Sequence, residues 1–121
     1  RVFDPASLEL MEVLSIPGAH GATISTNGKY FYTTNLTGGG ADALFTVATR
    51  SNEVVGDPVM TPHAVPHNLA LDASGRMLFV THSGGSADKV TFYRIHPRDG
   101  VPMYAGEATV GTNPFGIGFV H

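Results

Sequence analysis

Six histidines stand in a chain of 121 residues that has no cysteine, so imidazole is the first place to look for acid–base or metal chemistry. Position singles out two of them. His20 and His67 lie 47 residues apart, and the segments they open match: HGATISTNGKYFYTT over 20–34 and HNLALDASGRMLFVT over 67–81. They are the same position of a repeating unit, and imidazoles converging from successive repeats can hold a metal or move protons. Hydrogen bonding to water or backbone is the structural alternative. His63 stands four residues before His67, a metal spacing on a helix, but Pro62 and Pro66 argue against a helix there. An extended segment instead makes His63 a candidate ligand contact at the same mouth. His82 matches Asn35 at the end of the next strand, beside a glycine-rich loop, and is a second such candidate. His96 precedes Pro97 in a turn and reads as solvated, and the terminal His121 carries no inference.

The other residue types exclude more chemistry than they offer. Without cysteine there is no disulfide, thiolate catalysis or Cys-ligated zinc. No G-x-S-x-G elbow occurs. The run Gly38-Gly39-Gly40 is not followed by Gly-Lys-Ser/Thr, so it reads as a relaxed strand connection and not as a phosphate loop. Asn35-Leu36-Thr37 fits the N-glycosylation pattern and makes Asn35 a candidate acceptor. Asp42 and Asp88 recur before the third strand of each repeat and read as turn residues. Glu9, Glu12, Glu53 and Glu107 fall on outer strands or turns with no obvious acidic partner. The aromatic residues Tyr30, Phe31, Tyr32, Phe79, Phe92 and Tyr93 read as core.

Positioning these side chains falls to the repeat. A shift of 47 places Gly28 on Gly75, Phe31 on Leu78 and Thr34 on Thr81, and a third copy begins at Pro114, with Phe115 at the histidine position. Repeats of about 40–50 residues built from short strands are the mark of β-propeller blades. In the first copy strands are expected at 21–26, 30–35, 43–48 and 54–60; in the second at 68–72, 77–82, 89–95 and 103–110. Asn27-Gly28 and Ser74-Gly75 supply the hairpin turns, and no segment has helical periodicity. The expected fold is all-β, with four-stranded antiparallel blades in an incomplete ring. Residues 1–121 form part of one domain: 1–18 the outer strand of a preceding blade, 19–62 and 63–112 two blades, and 113–121 the first strand of a further one.

A propeller closes with roughly 4–8 blades, so further blades, from the same or another chain, are the expected partners. Arg1 in place of methionine adds the expectation that polypeptide precedes it. Charged residues make up 14% of the chain, against about 25% in an average domain. With two lysines and a net charge of −3, no basic stripe is present and nucleic acid is a poor partner. No apolar run reaches the roughly 18–20 residues of a membrane span. A cysteine-free, low-charge β protein is expected to be extracytoplasmic.

The run HNLALDASGRMLFVTHSG followed by KVTFYRIHPRDG resembles the blades of YVTN-type and lactonase-type seven-bladed propellers. The resemblance extends from about Ile16 to the end. It implies a propeller but no single function, since such blades serve binding surfaces, lactonases and metal enzymes alike. A binding or scaffold module would use His63, His82 and Arg94 for a small-molecule ligand. A lactonase-like hydrolase would pair His67 with Arg94 as acid–base and oxyanion groups. The paired histidines also resemble the ring of channel histidines that holds copper in nitrous oxide reductases, which implies copper or another divalent metal at His20 and His67. The reading adopted is the binding or scaffold module, with the enzyme as the alternative.

Overall fold

Alternation of apolar and polar residues between glycine-marked turns yields a structure made of strands. The computed structural model describes residues 1–36 and 42–119, and has no helix among them. Strands β1 (Val2–Phe3) and β2 (Leu10–Glu12) form a short antiparallel pair. The first blade holds β3 (Ala19–Ile24), β4 (Tyr30–Asn35), β5 (Ala43–Ala48), β6 (Glu53–Val54) and β7 (Val59–Met60). The second holds β8 (Pro66–Leu71), β9 (Met77–His82), β10 (Lys89–Ile95) and β11 (Pro102–Thr109). Each blade is an antiparallel meander, β3-β4-β5-β6 with β7 also on β5, and β8-β9-β10-β11.

The turns form where their chemistry demands. Gly28 and Gly75 adopt φ of 69° and 67°, values that glycine reaches without steric cost. Ser25 Oγ accepts the Tyr30 amide at 2.9 Å, and Asp72 Oδ1 accepts that of Met77 at 2.9 Å. Two different residues thus close the same turn. The expected fourth strand at 54–60 is split. Gly56 turns the chain at φ 66° and Pro58 has no N–H to donate, so β6 and β7 pair with opposite ends of β5.

Between the two sheets lies the core: Tyr32, Leu44, Leu69, Leu78, Val80 and Tyr93, with Tyr30, Val59, Leu71 and Ile95 packed against it. Burying each large side chain contributes about 1.5–3 kcal/mol. The period of two along β9 and β10 turns Leu78, Val80 and Tyr93 toward the first blade and Phe79 and Phe92 away from it. Phe79 meets Phe119 instead, ring centroids 5.1 Å apart. Burial pushes the Tyr32 phenol up to about 12, so it remains a donor, and it spans the blades to the Gly100 carbonyl at 3.0 Å.

Asn35, a candidate glycan acceptor, is only 2% exposed. Its Oδ1 accepts the Ala43 amide at 2.8 Å. A side chain enclosed by its own sheet has no path for a glycan, which corrects that expectation. Thr37, the glycine run 38–40, Ala41 and the terminal Val120 and His121 lie outside the described residues.

Candidate functional site

Both inner strands carry the same irregularity. From Ala19 to Ala22 three residues of β3 advance against two of β4, and from Pro66 to Leu69 three of β8 advance against two of β9. Each is a one-residue bulge, which breaks the ladder and re-aims a side chain. The bulged residues are His20-Gly21 and His67-Asn68. A threonine of the neighbouring strand takes up the amide that each bulge releases. Thr34 Oγ1 accepts from Gly21 N at 2.9 Å, and Thr81 Oγ1 accepts from Asn68 N at 3.1 Å. Each hydroxyl then donates across the blade interface: Thr34 to the His67 carbonyl at 2.8 Å, Thr81 to the Phe115 carbonyl at 3.1 Å. The clasp repeats atom for atom.

The bulges align one ring per repeat. His20 and His67 have centroids 4.3 Å apart, and His67 and Phe115 4.0 Å. His20 is exposed and His67 is buried. The Asn68 amide nitrogen lies 2.8 Å from the Phe115 carbonyl and 2.9 Å from His67 Nδ1. A carbonyl only accepts, so the amide group must present its NH2 there. Its second hydrogen then points at Nδ1, and the His67 proton sits on Nε2. Metal ligation through Nε2 would require both the tautomer and the amide to reverse, at the loss of the Phe115 bond. Among the described residues no group of three His, Cys, Asp or Glu is placed to hold a metal ion.

Arg94 pairs with Met77 near the far end of β10, whereas the β8 end that carries His67 lies against His82. Thr81, which adjoins that end, and Met77 are four residues apart, about 13 Å along a strand. His67 and Arg94 therefore do not share a site, which corrects their assignment as lactonase-type partners.

A second cluster forms where the chain crosses between blades, over residues 61–65. His63 Nε2 meets Glu107 Oε2 of β11 at 2.7 Å, and Tyr104 donates its hydroxyl to the same oxygen at 3.1 Å. The His63 bond holds the Glu107 carboxyl below the usual range. His82 lies beneath, its ring 5.4 Å from that of His63. Its Nδ1 donates to the Ala64 carbonyl at 3.1 Å, and its Nε2 lies 2.9 Å from Thr91 Oγ1. Burial, with His63 adding to it, outweighs the Ala64 bond and holds His82 below the ordinary imidazole range. Val65 takes φ 54°, a strained value for a β-branched residue. It is held by its amide to Asp42 Oδ1 at 2.9 Å and by its carbonyl, which accepts from Ser83 N at 3.1 Å. A pocket of about 300 Å³ opens here, lined by His63, His82, Gly84, Ser86 and Lys89 among others.

The structure thus joins His63 to His82 and, separately, His20 to His67, and leaves Arg94 apart from both. It adds Glu107, Tyr104 and Thr91, for which the sequence held no spacing signal, and the Thr34/Thr81 clasp, which was visible only as a matched pair.

The histidines set a testable pH dependence. Burial, then the adjacent His20 ring, holds His67 below its ordinary value of 6.5, and His82 is shifted the same way. The unfolded chain then binds more protons than the folded one, so stability is full above pH 6.5 and falls as pH drops toward the lowered values. The carboxylates Asp4, Asp72, Asp99 and Glu107, also held low, give a separate loss below about pH 4. Urea unfolding at stepped pH should resolve both, and His82→Gln should shrink only the upper one. A flat profile between pH 5 and 7 would contradict this account.

Two antiparallel sheets in sequence repeat, set face to face with bulged inner strands clasped at equivalent atoms, define consecutive blades of a β-propeller. No family model matches the sequence, and no curated protein matches it. Among solved structures, hydrazine synthase of Kuenenia stuttgartiensis is similar, with a TM-score of 0.67 at 12% identity over 79% of this chain and 25% of that one. The chain spans a quarter of that protein's length, and the likeness is one of fold.

Proposed function

We propose that the chain is a stretch of a larger propeller of the YVTN or lactonase type, acting as a binding and scaffold module completed by further blades. The observation that supports this best is the use made of the channel position. His67 is buried, its ring packed at a tilt between those of His20 and Phe115, and its Nδ1 is taken by Asn68. Its chemistry is spent on packing. After loading with copper or zinc and dialysis, metal should remain well below one per chain and be unchanged by His20→Ala or His67→Ala. One metal per chain, lost in the double variant, would overturn the reading in favour of a metal enzyme.

A second reading rests on the His63–Glu107 pair beside its pocket. A carboxylate that fixes Nε2–H leaves Nδ1 to accept a proton, the arrangement of a general base. In a hydrolase on this scaffold that role falls to His63. Hydrolysis of a γ-lactone by the intact protein, abolished by His63→Gln, would select it.

A further inference from the structure

One turn occurs three times, and one of its copies stands outside the two blades. Leu8, Asn52 and Gly100 take φ of 60°, 57° and 73°. Their amides donate four residues back, to the Asp4, Ala48 and His96 carbonyls at 2.9, 2.8 and 3.0 Å. Positive φ is uncommon outside glycine, so leucine and asparagine there mark a conformation that the turn itself dictates. In the two blades this turn joins the third strand to the fourth, β5 to β6 and β10 to β11. Near the start of the chain it joins β1 to β2. Residues 2–12 are therefore the outer hairpin of a further blade. Among the described residues β1 pairs only with β2, so its other edge is open where a blade has its second strand.

A groove of about 660 Å³ lies between this hairpin and the first blade, with Val2, Phe3 and Leu14 on the hairpin side. The blade side presents His20, Phe31, Thr33, Val47 and Asn52. The joint between the two blades shows what such a surface receives. Register sets Phe31 across from Val47 just as it sets Leu78 across from Tyr93. The repeat matches Thr33 with Val80 and His20 with His67, and the shared turn matches Asn52 with Gly100. Over the second-blade set lies the β3–β4 hairpin. Tyr32 packs in the core with Leu78, Val80 and Tyr93 and donates its hydroxyl to the Gly100 carbonyl, while Thr34 donates to the His67 carbonyl. The first blade offers the same surface toward β1.

We infer that this groove seats a β-hairpin, the inner pair of strands of the blade to which β1 and β2 belong. The hairpin adds to the open edge of β1 through main-chain hydrogen bonds. Its second strand carries a tyrosine and, two residues later, a threonine or serine. The phenol lies over Phe31 and Val47 and donates to the Asn52 carbonyl, and the hydroxyl donates to the His20 carbonyl. On the reading of the chain as a stretch of a larger propeller, from which this follows, the neighbouring polypeptide must supply those two residues in that order.

The test uses the chain's own inner hairpin as the probe. A synthetic peptide of residues 19–35 is titrated into the 15N-labelled full chain. The same segment is also fused ahead of Arg1 through a flexible Gly-Ser linker, which raises its effective concentration to the order of millimolar. Seating predicts saturable amide shifts confined to 2–3, 13–22, 31–33 and 47–52, and in the fusion at least tenfold slower hydrogen exchange at Val2 or Phe3. Thr34→Val in the added hairpin alone should weaken peptide binding about tenfold, while Lys29→Gln in its turn should stay within twofold. Neither shifts with the peptide nor slowed exchange in the fusion would overturn the inference, as would the same shifts on concentrating the chain alone, which would give the groove to a second copy. Such a result with metal well below one per chain after dialysis sinks the hairpin seat alone, whereas one metal per chain sinks the binding-module reading whatever the hairpin does.

Discussion

Alanine at position 21 is expected to destabilise the protein by about 3 kcal/mol or more, at the upper end of overpacking costs. Gly21 does not take a positive φ, so backbone strain is not the reason. A Cβ there would fall inside contact distance of the His67 carbonyl, and within 2.9 Å of Thr34 Oγ1 and 3.2 Å of Asn68 Cα. All three belong to the clasp, and the nearest is backbone, which cannot swing aside. The effect should appear as a lower urea midpoint with an unchanged slope. Gly28→Ala is the comparison. It meets nothing within 4 Å but sits at φ +69°, so it should cost about 1 kcal/mol through conformation alone. If the two variants proved equally mild, the blades would not be as closely apposed as the structure has them.

Thr34→Val should cost about 2–4 kcal/mol. The replacement keeps shape and removes the hydroxyl, which strands the Gly21 amide and the His67 carbonyl together, each at about 1–3 kcal/mol when buried. Thr34 is fully buried, and water has no ready access to either group. Thr34→Ser should recover most of the loss because it restores the hydroxyl. Thr81→Val should be milder, since the Phe115 carbonyl it abandons still accepts from the Asn68 amide at 2.8 Å. Equal losses at 34 and 81 would mean that the Asn68 bond contributes nothing.

The repeat made the fold legible. His20 on His67 and Gly28 on Gly75 fixed the blade period, and Asn27-Gly28 and Ser74-Gly75 marked the hairpins that form. The split between β6 and β7 was also written in Gly56 and Pro58, but a run of strand formers around them masked it. The His63–Glu107 pair was not legible, because 44 residues separate the partners and no repeat relation links them. Thr34 and Thr81 were matched but not understood, since a threonine in a strand looks ordinary until the bulge that frees its amide partner is seen.

The clasp grips the channel position only through main-chain atoms, the His67 and Phe115 carbonyls. Thr34 and Thr81 therefore make the same hydrogen bond whether the residue that supplies the carbonyl is His67 or Phe115. Joints made this way are indifferent to sequence at the position they grip: the hydrogen bond between blades survives a change of residue there, and what a substitution must restore is only the packing of the neighbouring rings.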